Sequence, residues 1–281
     1  MKRRAQPWLG TLVEISIDDD LTEAALNRAF QAAFSVLAQI HMLMSFQYQD
    51  SDVTHINDAP VGARLTIHPH TYQVIKAALR VAEVSQGLFD IRVAGNLVAW
   101  DYLPRRLDSQ TALAYQANQQ AWRLLANNQL EKLRQDLLDL GGIAKGYAVD
   151  QAILALQQAG VQNACVNAGG DLRVIGDEAI QIGIRDPHAP TKMIKNIALK
   201  NQAMATSGSY FSARMHAEQQ VSALVHGWTG APLITVGSVS VRAPHCVWAD
   251  ALTKVVAASG DPQHPSLAYF GADAFIIAAS S

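Results

Sequence analysis

The spacing of apolar residues changes character at Gly160, and that change constrains the fold more than any other feature of the chain. Ahead of it, three long segments carry helical spacing. From residue 22 to about 43, Ala25, Leu26, Ala29, Ala33, Phe34, Leu37 and Ile40 fall on one face, with Asp20 or Thr22 as the N-terminal cap. A second helix is predicted over 72–85, ended by Gly87, and a third over 143–159, ended by Gly160. Beyond Gly160 the chain breaks into short β-like runs, "ACVNAG", "AIQIGI", "NIALKNQAMATS", "QVSALV" and "GSVSVR", punctuated by Gly, Asp and Pro. One helix, "CVWADALTKVVAAS", interrupts them before a last strand, "DAFIIAA". A strand over 12–17, within "TLVEISI", precedes the first helix. Helices grouped apart from runs of strands predict an α+β fold rather than alternating βαβ units. The Gln-, Asn- and Arg-rich stretch 103–135 carries no readable pattern.

With 281 residues, 49% of them hydrophobic, the chain can bury a large core in one domain or two modest ones. Its 22 basic residues against 24 acidic ones leave a formal charge of −2 and no basic stripe, which argues against a nucleic-acid partner. No run approaches the roughly 18 apolar residues of a membrane helix. The start has the basic n-region of an export signal, but Pro7, Gly10, Glu14 and the acids at 18–20 interrupt any apolar stretch after it. Cys165 and Cys246 lie far apart in apolar settings and are expected to be buried free thiols; a reducing, cytoplasmic setting is the expectation.

Two segments can carry chemistry. In "DLGGIAKGYAVD", residues 139–150, Gly141 and Gly142 can bring bare backbone close to a ligand at the start of a helix whose free N–H groups favour an anion. Lys145 sits in the first turn, where a cation is unfavourable unless an anion offsets it. A tight turn with a solvated lysine remains the alternative. In "WADALTKVV", Asp250, Thr253 and Lys254 share one helical face, able to hold a hard cation through oxygen or to form an exposed i,i+4 ion pair. The hydroxyls and backbone donors of Thr206, Ser207 and Gly208 suit phosphate or sugar, or form only a turn. His68, His70 and His226 lack partners at zinc-ligand spacing, and no G-x-S-x-G elbow is present. Asp90, inside the apolar run "GLFDIRV", needs a partner or a surface position.

In order along the chain, "LGT" at 9–11, "MSFQYQDSDVTHIN" at 44–57, "FDIRVAGNL" at 89–97, "DLGGIAKGYAVD" at 139–150, "GGD" at 169–171, "ATSG" at 205–208, "TG" at 229–230 and "ADALTK" at 249–254 resemble the motifs of the ApbE family, the FAD:protein FMN transferases. The resemblance covers most of the chain. It implies one α+β, T-fold-like domain over 1–281, in which two related sheet-and-helix subdomains enclose a flavin-nucleotide site. The implied reaction is Mg²⁺-dependent transfer of FMN from FAD to a Thr or Ser hydroxyl of an acceptor protein, with release of AMP. Two alternatives are hydrolysis of FAD to FMN and AMP, and FAD binding without catalysis.

By the same resemblance, Asp139 and Lys145 would contact FAD, while Leu9, Gln47, Leu88, Phe89, Asp90 and Val225 would line the flavin pocket together with the Thr206-Ser207-Gly208 turn. The Gly142 carbonyl and Asp250 would hold the metal, and Asp250 and Lys254 would act on the pyrophosphate. There are departures from the family pattern. A family histidine is Ala223 here, a family acid is His226, and the family threonine four residues after the metal aspartate is Lys254. Thr253 is then the candidate to supply the missing hydroxyl ligand, with Lys254 binding phosphate. Family members are often exported, but no lipobox or leader is evident in these residues.

Overall fold

The structure is a computed structural model that describes residues 1–105, 114–187, 189, 192–209, 212–234 and 237–278. It begins with a hairpin of β1 (Lys2–Trp8) and β2 (Thr11–Ile17), turned by Leu9 and Gly10 at φ 56° and 72°. Positive φ at both central residues matches the right-handed twist of the strands, although a leucine pays a steric penalty there that glycine does not. The sequence reading did not foresee β1. Its run of Lys2, Arg3, Arg4 and Pro7 suits an exposed edge strand, where charge and proline discourage further pairing.

Helix α1 (Glu23–Met44) follows, and Thr22 rather than Asp20 caps it, accepting from the Ala25 N–H at 3.3 Å. Its buried residues have the predicted spacing; Leu37 and Ile40 are fully buried and each stabilises by about 2 kcal/mol. Then come α2 (Asp52–Asp58), β3 (Arg64–Thr66), α3 (Pro69–Val84) and α4 (Ala94–Ala99). Helix α3 starts three residues before the predicted Tyr72, because Pro69 suits the first turn and the His68 ring accepts from the His70 N–H at 3.1 Å.

Strands β4 (Trp122–Leu125) and β5 (Gln129–Lys132) lie in the stretch that carried no readable pattern, part of which, 106–113, lies outside the described residues. They form a small sheet, β3-β5-β4, pinned to α2 by the buried Lys132 ammonium. It donates to the last-turn carbonyls of Ile56 (3.0 Å) and Asn57 (2.7 Å).

The second half supplies α5 (Ala144–Gln158), β6 (Ala164–Ala168), β7 (Asp171–Ile175), β8 (Ile180–Arg185), β9 (Met193–Leu199) and β10 (Ala203–Ser207). After these come β11 (Arg214–His216), β12 (Gln219–Val221), β13 (Gly237–Ala243), α6 (Cys246–Ser259), α7 (Pro265–Tyr269) and β14 (Asp273–Ala278). The predicted run "NIALKNQAMATS" is two strands, β9 and β10, broken where Asn201 takes φ 50°. "QVSALV" is a strand only through Val221. The Ser222 hydroxyl donates to a nearby carbonyl (Leu233 O at 2.7 Å, Leu224 O at 3.0 Å) in place of a regular ladder.

Seven strands make one antiparallel sheet in the order β1-β2-β6-β7-β10-β13-β14. Helices α1, α5 and α6 cover one face, α5 lying between the other two. The β8-β9 hairpin covers part of the other face. Alternation along β6 therefore sends Val166 into the main core and Cys165 into the smaller one, with Leu172, Val174 and Met204. The architecture is α+β. The sheet-and-helix units implied by the resemblance share one continuous sheet, β6 and β7 packing with α5, and β10 and β13 with α6. Among the described residues no helix is long and apolar enough to cross a membrane.

Cys165 and Cys246 are buried free thiols. Burial pushes Cys165 up to about 12 and Cys246 well above its ordinary value, so both stay protonated at neutral pH. Native protein treated with iodoacetamide at about pH 8 is expected to remain unmodified, whereas unfolded protein takes up label at both cysteines, as read by intact mass.

Candidate active site

Neither α5 nor α6 is capped by a side chain at its own start: the residues there are Ile143 and His245. Each helix instead borrows a carboxylate from the other. Asp150, from α5, accepts from the Cys246 and Val247 N–H groups at 2.9 Å each, and Arg173 holds the same carboxylate at 2.8 Å. Asp250, from α6, accepts from the Gly146 N–H at 2.9 Å. This exchange requires close approach. A Cβ at Gly146 would stand 2.3 Å from the Cys246 carbonyl oxygen and 2.7 Å from Asp250 Cβ, so only glycine fits.

The crossing gathers charge. Lys145 pairs with Asp171 at the start of β7 and lies 3.7 Å from Asp250 Oδ1. Lys254 donates to the same Oδ1 and, at 2.9 Å, to the Asp250 carbonyl. The Thr253 hydroxyl donates to that carbonyl at 2.7 Å and meets the Ser207 hydroxyl, also at 2.7 Å. Asp250 and Thr253 are wholly buried. The alternatives of an exposed i,i+4 pair on α6 and a solvated Lys145 are thereby corrected: the polar face of α6 turns inward onto α5, and Lys145 has carboxylate partners.

Burial opposes charge on Asp250, but Lys145, Lys254 and the Gly146 N–H outweigh it and hold the carboxyl below its usual range. Burial and the nearby Asp250 push Asp171 up, opposed by Lys145 and Lys254. Desolvation likewise raises Asp139, against the Gly141 N–H and Lys145. On Lys145 burial works downward, yet Asp171 and Asp250 prevail and raise it.

The wall opposite α6 comes from two parallel anchors. The Asn57 side chain holds Leu138 on both sides, donating to its carbonyl at 3.0 Å and accepting from its N–H at 2.6 Å. The next residue, Asp139, donates its N–H to the Ile91 carbonyl at 2.9 Å. Phe89 thereby reaches the glycine turn: a Cβ at Gly142 would lie 3.4 Å from the Phe89 ring and 3.7 Å from Lys254 Cε.

The structure thus brings Phe89, Asp139, Gly142, Lys145, Ser207, Asp250, Thr253 and Lys254 together. Thr206 is not among them: strand alternation turns it to the opposite face, where it meets the Ser240 hydroxyl at 2.8 Å. Gly208 follows Ser207 at the end of β10. Leu9 sits in the β1-β2 turn, Gln47 is exposed after α1, and Leu88 is buried beside Phe89.

Val225 bridges to Pro232 in a loop whose Gly227 packs against the Gly87 and Leu88 carbonyls. Asp90 finds the partners its setting demanded: Arg92 at 2.5 Å and the Tyr115 hydroxyl at 2.8 Å. A cleft of about 450 Å³ runs along this segment, lined by Phe89, Asp90, Arg92, Asn118 and Trp122 among others.

Gly146, Asp150 and Asp171 were given no role from the sequence, although all three lie within or beside the quoted motifs. The signal for Asp150 was an acid within an otherwise apolar helix face, which has to be matched by a partner.

Two of the expected Mg²⁺ ligands, Asp250 and Thr253, are engaged in ways that do not fit a hard dication. Gly146 holds Asp250 Oδ2 and Lys254 holds Oδ1, while Thr253 is engaged by the Asp250 carbonyl and Ser207. Mg²⁺ asks for near-octahedral oxygen ligands. Placed on Asp250 about 4 Å from the Lys254 ammonium, it would meet a repulsion of about 8 kcal/mol at an effective dielectric of about 20.

A family model described as "ApbE family" matches residues 9–276. The chain belongs to the ApbE family. It is 28% identical over 268 residues to the FAD:protein FMN transferase of Haemophilus influenzae, covering 87% of this chain and 77% of that one. It is 27% identical over 275 residues to the enzyme of the same name from Treponema pallidum, covering 89% and 76%. The crystal structure of the ApbE protein of Thermotoga maritima superposes with a TM-score of 0.84 at 28% identity, covering 99% of this chain and 94% of that one. The apo flavinyl transferase ApbE of Pseudomonas stutzeri shares the fold, with a TM-score of 0.82 at 23% identity and coverage of 100% and 92%.

Gly146→Ala is expected to force α5 and α6 apart and lower stability by about 1–3 kcal/mol, measured by urea unfolding. Gly160→Ala serves as the comparison, since no atom lies within 4 Å of its added Cβ and only the backbone cost of φ +88° remains.

Proposed function

We propose that this ApbE-family protein, acting as a single domain over 1–281, is an FAD:protein FMN transferase. FAD is its substrate, and the acceptor is a protein Thr or Ser hydroxyl. The acceptor oxygen bonds to the FMN phosphorus, the bond from that phosphorus to the bridging oxygen breaks, and AMP leaves with the electron pair. The hydroxyl proton is released to solvent. The observation that carries this reading is the meeting of a glycine-opened helix start with two lysines, Lys145 and Lys254, around the buried Asp250.

In this reading the bare backbone at Gly141 and Gly142 lets the pyrophosphate approach the start of α5, where the positive end of the helix dipole favours an anion. Lys145 and Lys254 supply positive charge to the phosphates and to the charge that grows on departing AMP. Asp250 acts by holding Lys254 and Lys145 in place, and Asp139 borders the same turn. Phe89 offers an apolar surface to the flavin, and Leu9, Gln47, Leu88, Asp90, Val225 and the Ser207-Gly208 turn are the remaining candidates for its pocket. A loose phosphoryl transition state asks the protein chiefly for such positioning and charge. The mismatch at Asp250 means that no step is assigned to Mg²⁺. Two buried free thiols support a reducing compartment as the working location.

The test is labelling of proteins in a cell extract by this enzyme and FAD, read by in-gel flavin fluorescence and by mass spectrometry of the labelled band. An FMN adduct on a Thr or Ser is expected, reduced about 10²-fold by Lys145→Met in a variant whose circular dichroism is unchanged. Free FMN and AMP with no labelled protein would replace the transferase reading with hydrolysis.

A further inference from the structure

We propose that the Lys254 ammonium is the resident cation of this site, standing where the family resemblance calls for a divalent metal, so that FAD binds with its pyrophosphate against Lys254 and Lys145 without a metal ion. The inference rests on the FAD reading above and deepens it.

Three observations carry it. The ammonium occupies a carboxylate oxygen that a metal would need, for Lys254 Nζ bonds Asp250 Oδ1 and is held there by a second bond, at 2.9 Å, to the main-chain carbonyl of Asp250. Its place is built, since the side chain is only 13% exposed and the carboxylate it holds is fully buried and fixed from behind by the Gly146 N–H. It also faces the right surface: Lys254 Cε would touch a Cβ at Gly142, the residue where the backbone is bare for a ligand.

An ammonium carries three donors, and the two bonds found here both go to Asp250, which leaves one donor for a phosphate oxygen. A threonine at this position would offer an oxygen to a metal. A lysine offers a charge instead, and the two cannot serve the same ion. Lys145, held between Asp171 and Asp250, provides a second fixed charge beside it.

The experiment measures FAD affinity of the whole protein by fluorescence titration in EDTA and in Mg²⁺, and Mn²⁺ binding by electron paramagnetic resonance. Wild-type protein is expected to bind FAD equally in both buffers, within about twofold, and to leave Mn²⁺ free in solution. Lys254→Gln is expected to weaken FAD binding in EDTA by about tenfold or more. Wild-type FAD affinity that falls about tenfold in EDTA, or a stoichiometric Mn²⁺ signal abolished by Asp250→Asn, would overturn the inference while leaving the transferase reading intact. Unchanged FAD affinity in Lys254→Gln would overturn it as well. Absence of FAD binding in every buffer would remove the transferase reading and this inference together, so the two failures are distinguishable.

Discussion

Two helices that each lack a cap of their own trade carboxylates across their crossing, and the rest of the site depends on that exchange. Asp150 closes the start of α6 and Asp250 closes the start of α5. Each bond satisfies a main-chain donor that would otherwise be buried without a partner, a deficit of about 1–3 kcal/mol apiece. The arrangement also fixes geometry, since the carboxylate that caps α5 is the one that anchors Lys254 and neighbours Lys145. The charge that would meet a substrate is therefore positioned by the same contacts that hold the core helices together.

That coupling explains why so much polarity is tolerated in the interior. Asp139, Asp171 and Asp250 stand against Lys145 and Lys254 in a region from which water is largely excluded, and the carboxyls respond in opposite directions. At Asp250 the two ammonium groups and the Gly146 N–H prevail and favour the charged form; at Asp139 and Asp171 burial prevails over the same two ammonium groups, helped at Asp171 by the neighbouring Asp250. Such divergence among neighbouring acids is typical of sites prepared for an ionic ligand. An incoming pyrophosphate would meet fixed charges rather than side chains that must first be ordered.

How far the fold could be read from the residues varied with the element. Helix α1 was legible because its apolar face repeats over twenty-two residues, and Thr22 sits where a cap belongs. Strand β1 was not, because edge strands carry charge and proline, the same residues that signal a loop or an export leader. The small sheet of β3, β4 and β5 was not legible because its strands are only three or four residues long and Lys132 ties it to α2 by contacts 76 and 75 residues apart along the chain. At the site, motif order pointed to Asp139, Gly142, Lys145, Asp250, Thr253 and Lys254. It did not reveal that Asp90 is taken up by Arg92 and Tyr115, or that Thr206 faces away.

The sequence by itself determined the class of the fold, the family and the residue types at the site, because periodicity, glycine placement and motif order are local properties of the chain. Tertiary structure alone decided what those residues do to one another. The Gly146 N–H and the Asp250 carboxylate lie 104 residues apart along the chain, and no local pattern records that they meet. Whether Lys254 is a solvated surface charge or a buried cation on Asp250 depends on which way the polar face of α6 turns, and that was settled by packing against α5. Distance in space governs electrostatics and desolvation, and the chain fixes that distance only once it is folded.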